Sequence, residues 1–215
     1  MFTPSEENYL KAIFHLQQDV DKGVSTSSIS ERLNTKSASV TEMVKKLSEK
    51  KLVNYQKYYG VHLTESGLVH ALSIIRKHRL WECFLVERLN FNWDEVHDVA
   101  EQLEHIKSAK LVEELDKLLG RPSYDPHGDP IPDANGSLPE SSKKKLSQLG
   151  AGDRVVCKGF KDNSSSFLQF LAKQNIGLGT VIDILDVEPF DESMKVKVDK
   201  KEVTLSKMAT NNILV

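Results

Sequence analysis

The sequence predicts a mainly α protein with a small β domain behind it, and three observations carry that prediction. Neither glycine nor proline occurs between Leu68 and Leu119, where apolar residues recur at helical spacing. Five of the seven prolines, Pro122, Pro126, Pro130, Pro132 and Pro139, fall between Arg121 and Ser142. Beyond Leu149 the pattern changes to short β-branched runs, Thr180 to Val187 and Lys195 to Leu205. A length of 215 residues allows one large domain or two to three small ones.

At the front, the chain reads as three helices and a hairpin. Helix one runs from about Pro4 to Gln18, with proline in its first turn and Tyr9, Ile13 and Leu16 on one face. Helix two follows the N-cap candidates of Ser25 to Ser28 and carries Ile29 and Leu33. After the Asn34-Thr35-Lys36 turn, helix three presents Val40, Met43, Val44 and Leu47 at i, i+3, i+4 and i+7, with Ser37, or Ser39 with Glu42, as its cap. Two extended stretches, Val53 to Lys57 and Val61 to Leu63, flank Tyr58-Tyr59-Gly60, where glycine can take the positive φ of a tight turn. This is the order of a winged helix-turn-helix.

A net charge of −2 hides two opposed segments. Six lysines against two glutamates lie between Lys36 and Lys57, whereas ten acids against four bases lie between Glu82 and Leu119. The basic stretch suits the DNA backbone, whose phosphates supply the sequence-independent part of affinity. Lys36, Ser37, Ser39, Thr41, Lys45 and Lys46 on helix three are the expected DNA contacts, with Lys57 and Tyr58 on the wing.

The start of the chain lacks the basic and apolar regions of a signal peptide, and no apolar run approaches the roughly eighteen residues of a membrane span. Cys83 and Cys157 lie far apart with no CxxC spacing, which offers neither a disulfide framework nor a thiolate zinc site. A cytoplasmic protein is expected. HExxH, GxSxG, P-loop and GxGxxG motifs are absent, so no enzyme class and no small organic substrate is indicated.

The acidic segment holds a metal-ligand pattern. An Asn92-x-x-Glu95 capping box precedes Val96 to His105, so that stretch is predicted helical, with Glu101, Glu104 and His105 at i, i+3 and i+4 and His97 one turn earlier. His78 and Glu82 form an i, i+4 pair on a long helix that begins near Thr64. Two helices that each offer imidazole and carboxylate suit a divalent cation with mixed nitrogen and oxygen preference. The alternative, a metal-binding helical enzyme or storage protein of di-iron type, needs two Glu-x-x-His motifs and two further glutamates, and this pattern does not supply them.

Three stretches in this order, Arg76-Lys77-His78-Arg79-Leu80-x-Glu82, Val96-His97-Asp98-x-Ala100-Glu101-x-x-Glu104-His105 and Asp125-Pro126-His127-Gly128-Asp129-Pro130-Ile131-Pro132, following a winged helix, resemble the diphtheria toxin repressor family of metal-dependent transcriptional repressors. The resemblance covers nearly the whole chain and is strongest to the manganese-sensing branch. It implies a winged-helix domain over 1–75, a helical dimerisation and metal-binding domain over 76–140, a linker over 141–148, and a small β-barrel of Src-homology or FeoA type over 149–215.

Carried over position by position, the resemblance implies a primary site of Asn8, Glu101, Glu104 and His105. Asn8 stands where the manganese-sensing branch usually has aspartate and the iron-sensing branch methionine. Lys11 stands where one subgroup has a second carboxylate. Glu101, where iron-sensing relatives have cysteine, leaves no sulfur ligand and favours Mn²⁺, with Fe²⁺ second. A second site, two per subunit in all, would take His78, Glu82, His127 and Asp162, with Glu101 as a possible shared ligand; Asp125 suits either site, and His97 either a ligand or a supporting group. The implied function is a homodimer that binds palindromic double-stranded operator DNA when metal is bound and represses metal-uptake genes. Trp81, Phe84, Leu85, Phe91 and Trp93 are apolar candidates for the dimer contact or for ordinary core.

Overall fold

A computed structural model describes residues 2–18, 20, 22–56, 59–139 and 143–215. The chain divides into two compact units, one of Met1–His78, Gln102–Ser108 and Pro132–Ser137, the other of Arg79–Glu101, Ala109–Ile131 and Leu138–Val215.

The first unit opens with α1 (Pro4–Gln17), α2 (Thr26–Arg32) and α3 (Ser37–Glu49), followed by the antiparallel hairpin of β1 (Val53–Gln56) and β2 (Gly60–Leu63). Thr3 caps α1 in a reciprocal capping box with Glu6, and Ser25 caps α2 through the N–H of Ser28. The expected serine cap of α3 is not used: Lys36 occupies the N-cap position without a side-chain bond, and Ser37 is already the first helical residue. Leu10, Ile13, Ile29, Val40, Val44, Leu47 and Val61 are fully buried, so the apolar stripes of the three helices meet over the inner face of the wing. Gly60, at φ +93°, lies against Gly23; a Cβ on Gly60 would stand 2.6 Å from the Gly23 carbonyl carbon. The first part of α4 (Glu65–Leu89) adds Ala71, Leu72 and Ile75 to this core.

Glu6 does more than complete the capping box. Its carboxylate is wholly buried and accepts from Lys50 Nζ at 2.6 Å and Lys46 Nζ at 3.0 Å, tying the start of α1 to the end of α3. Burial alone would push this carboxyl up, but the two ammonium groups and the Thr3 N–H outweigh it and hold it at about 2.

The second unit contains the rest of α4, then α5 (Val96–Leu103) as far as Glu101, α6 (Ala109–Leu118) and a C-terminal sheet domain. In that domain β3 (Arg154–Val156), β5 (Val181–Val187), β6 (Met194–Val198) and β7 (Lys201–Leu205) form an antiparallel sheet in the order β3-β5-β6-β7, while β4 (Gly159–Phe160) pairs with β8 (Ile213–Leu214). The run from Lys195 to Leu205 is two strands joined at Asp199, which adopts φ 54°. Two helices that the β-branched texture concealed, α7 (Ser165–Lys173) and α8 (Lys207–Asn212), help enclose a core that includes Phe160, Leu168, Leu171, Ile182 and Val196. No helix among the described residues is long and apolar enough to cross a membrane.

Because the Glu6 carboxyl sits at about 2 against an ordinary 4.5, its contribution to stability is full above pH 4.5 and is lost as pH falls from there towards 2. Glu6→Gln is expected to cost about 2 kcal/mol at pH 7. In thermal melts the gap to the unmodified chain should close progressively below pH 4.5.

Candidate metal centres

In the first unit, the turn after α5 brings Glu104 and His105 to α1. The helix expected to run through His105 stops at Leu103, and Ile106 N–H closes the turn onto the Leu103 carbonyl. Glu104 is fully buried. Its Oε2 accepts from Lys11 Nζ and from His78 Nδ1, each at 2.7 Å, while its Oε1 has no hydrogen-bond partner. His105 donates Nδ1–H to Glu7 Oε2 at 2.5 Å, which fixes its tautomer and leaves the Nε2 lone pair 3.9 Å from Glu104 Oε1. A lone pair facing a carboxylate oxygen is unfavourable until a proton or cation lies between them.

Asn8 is half-buried on α1, and its Oδ1 is a further buried oxygen with no donor. Two orphaned oxygens and one oriented imidazole fit a divalent cation of oxygen and nitrogen preference. Sequence reasoning missed Glu7. An acid in the first turn of a helix is already favoured by the helix dipole, so nothing marked it as a partner of His105.

A second cluster lies in the other unit, where Glu82, Asp125 and His127 are all buried and their candidate ligand atoms lie within 4.8 Å of one another. His127 Nε2–H donates to the Trp93 carbonyl at 2.6 Å, and its Nδ1, without a hydrogen-bond partner, is 3.8 Å from Glu82 Oε2. Burial, then the charges of Glu82 and Asp129, push the Asp125 carboxyl up to about 7. Burial favours neutral His127, but Glu82 and Asp125 raise it to about 9. In both groups a proton takes up charge that a cation could take instead. Cys83, next to Glu82, is a buried thiol that burial holds far above its ordinary range, so it supplies no thiolate here.

The loop that carries His127 is held from several sides. Asp125 Oδ1 accepts the N–H groups of His127 and Asp129 at 2.8 and 2.9 Å. Arg79 donates to the Pro130 carbonyl and lies 3.6 Å from both Asp125 and Asp129. Gly128, at φ +83°, packs so closely that a Cβ would stand 2.3 Å from the Lys158 carbonyl oxygen. Trp93 stacks on His127 and packs against the sheet-domain core.

Of the remaining expected ligands, His97 is exposed, 3.5 Å from both Glu82 and the half-exposed Glu101. His78 meets Glu104. Asp162 accepts from Ser164 N–H at the entry to α7 and is not part of the Glu82–Asp125–His127 trio.

Of the expected DNA contacts, Lys36, Ser37, Ser39 and Lys45 are exposed on or beside α3. Thr41 bonds back to the Ser37 carbonyl, and Lys46, half-exposed, is engaged by Glu6. Lys57 and Tyr58 lie outside the described residues. Trp81 and Leu85 are buried and Phe84, Phe91 and Trp93 partly so.

Comparison with known proteins gives three consecutive matches. Residues 1–61 match the N-terminal DNA-binding domain of iron-dependent repressors, 64–133 their metal-binding and dimerisation domain, and 144–215 the FeoA domain. A probable metal transport system membrane protein of Chlamydia trachomatis is 47% identical over 70 residues, which are 33% of this chain and only 16% of that relative. The iron-dependent repressor IdeR of Mycobacterium bovis is 34% identical over 159 residues, 70% of this chain and 68% of its own. A solved manganese-dependent transcriptional repressor in complex with manganese is 36% identical, with 98% of each chain covered and a TM-score of 0.89.

Arg79→Lys keeps the charge but loses the planar fork that reaches Asp125, Asp129 and the Pro130 carbonyl together. It is expected to destabilise the C-terminal unit by about 2 kcal/mol, read as a lowered melting temperature.

Proposed function

We propose that this chain, which belongs to the iron-dependent repressor family and is a metal-dependent transcriptional repressor, is activated by Mn²⁺ held by Asn8, Glu104 and His105, with Fe²⁺ as the second choice. The observation that carries this reading is the pair of Glu104 Oε1, buried without a donor, and His105 Nε2, 3.9 Å away. Two oxygen ligands and one imidazole, with no thiolate, favour Mn²⁺ among first-row ions by ligand hardness. The manganese-bound relative supports the same choice, although the name of the mycobacterial one refers to iron.

A bound dication supplies positive charge to oxygens that lack a donor. The chain's own residues do the rest. Glu7 orients His105, and the ligand residue Asn8 sits two residues from Glu6, whose carboxylate grips Lys46 and Lys50 at the end of α3. A cation that fixes α1 against the Glu104 turn therefore restricts α3, the helix expected in the major groove. In a two-fold dimer, recognition helices must match half-sites about 34–36 Å apart, and metal acts by favouring the conformations that do. Operator DNA, a homodimer contact through residues 64–133 and repression of metal-uptake genes in the cytoplasm complete the proposal.

Glu82, Asp125 and His127 are proposed as the core of a second cation site, which His97 or Asp162 would complete. The division at 75, 140 and 148 belongs to the same reading.

Fluorescence anisotropy on palindromic promoter DNA tests the function. Mn²⁺ should tighten binding at least about tenfold over chelator, and Glu104→Gln should abolish that response; affinity that ignores metal would overturn the proposal. In a calorimetric titration, Asn8→Asp should tighten Mn²⁺ binding severalfold, whereas an unchanged isotherm would remove Asn8 from the ligand set.

A further inference from the structure

Lys11 is the unexpected member of the Glu104 cluster. Its side chain is 12% exposed, and its ammonium lies 2.7 Å from Glu104 Oε2, the oxygen that His78 also engages. A contact this sheltered is screened little by salt. The buried Lys77 is close enough to feel the same acids: burial pushes its ammonium down, and the charges of Glu7 and Glu104 push it back up. Two carboxylates, Glu7 and Glu104, thus meet two ammonium groups, Lys11 and Lys77, and two imidazoles, His78 and His105. A dication entering there meets a positive charge bonded to one of its own ligands.

We propose that Lys11 is a tethered cation that competes with the divalent metal for Glu104 and thereby sets the metal concentration at which the protein responds. In the metal-free protein it holds Glu104 oriented and tied to α1. Metal entry weakens that bond, because the carboxylate must divide its charge between the ammonium and the dication. Lysine suits this role because its compact charge rides on a flexible four-carbon stem and can swing away without moving the helix. Weakening the pair subtracts from metal affinity, so the site responds only when the ion is plentiful.

This inference rests on the reading of Glu104 and His105 as the metal centre, and the test separates the two. Isothermal calorimetry with Mn²⁺ on the full metal-stripped chain compares the unmodified protein with Lys11→Gln, Lys11→Arg and Glu104→Gln, each checked by thermal melting. Lys11→Gln removes the charge and keeps an amide donor for Glu104; it should bind Mn²⁺ about tenfold more tightly at the same stoichiometry. Lys11→Met removes the charge without supplying a donor, and takes its place should the amide variant fail to fold. Lys11→Arg keeps the charge and should stay within about threefold of the unmodified chain. Unchanged or weaker binding by the charge-removing variants overturns the proposal, as does equal tightening by Lys11→Arg, which would assign the effect to shape. A Glu104→Gln isotherm identical to that of the unmodified chain would remove the metal centre itself, and the proposal with it.

Discussion

The buried carboxylate of Glu104 is the constraint around which the N-terminal unit is arranged. A charge fully removed from water is tolerated only where partners compensate it. One of its oxygens is satisfied twice, by Lys11 and His78, and the other not at all. The asymmetry gives the site its two properties. The satisfied oxygen holds the turn after α5 onto α1 without metal, and the unsatisfied one leaves a place for a cation opposite an imidazole whose tautomer Glu7 has fixed. Glu6, one residue before Glu7, repeats the pattern towards α3, where its buried carboxylate is shared by Lys46 and Lys50. Two adjacent glutamates on α1 thus face two different partners, the His105 imidazole and the lysines at the end of α3.

The C-terminal unit solves the same problem by another route. His127 has one ring nitrogen committed to a backbone carbonyl and the other turned to a carboxylate, as His105 has one committed to Glu7 and the other turned to Glu104. Here Arg79 lies against Asp125 and Asp129, and burial still raises the Asp125 carboxyl while Glu82 and Asp125 raise His127. Arg79 and the close seat of Gly128 against the Lys158 carbonyl keep the loop closed.

Much of this was legible in the sequence because it is local. Helix periodicity, the serine cap of α2, the proline at the start of α1 and the glycine of the hairpin gave the winged helix. The rest depends on contacts distant in sequence. Spacing alone extended α5 through His105, whereas the helix ends at Leu103 and Glu104 points back to α1 from a turn. Lys11 and Glu104 are 93 residues apart, and no period marks such a pair. The carbonyl of Trp93 that orients His127 is a backbone group, invisible to any motif. In the tail, β-branched texture gave the strands but not α7, whose Phe167, Leu168, Phe170 and Leu171 stand at helical spacing for little more than one turn.

Anomalous diffraction at the manganese edge, from crystals of the Mn²⁺-loaded chain, tests the central claim most directly. A peak is expected within bonding distance of Asn8 Oδ1, Glu104 Oε1 and His105 Nε2, with the Lys11 ammonium displaced from its close contact with Glu104. Manganese found only elsewhere, with Glu104 Oε1 still bare and Lys11 still bonded to Oε2, would contradict it.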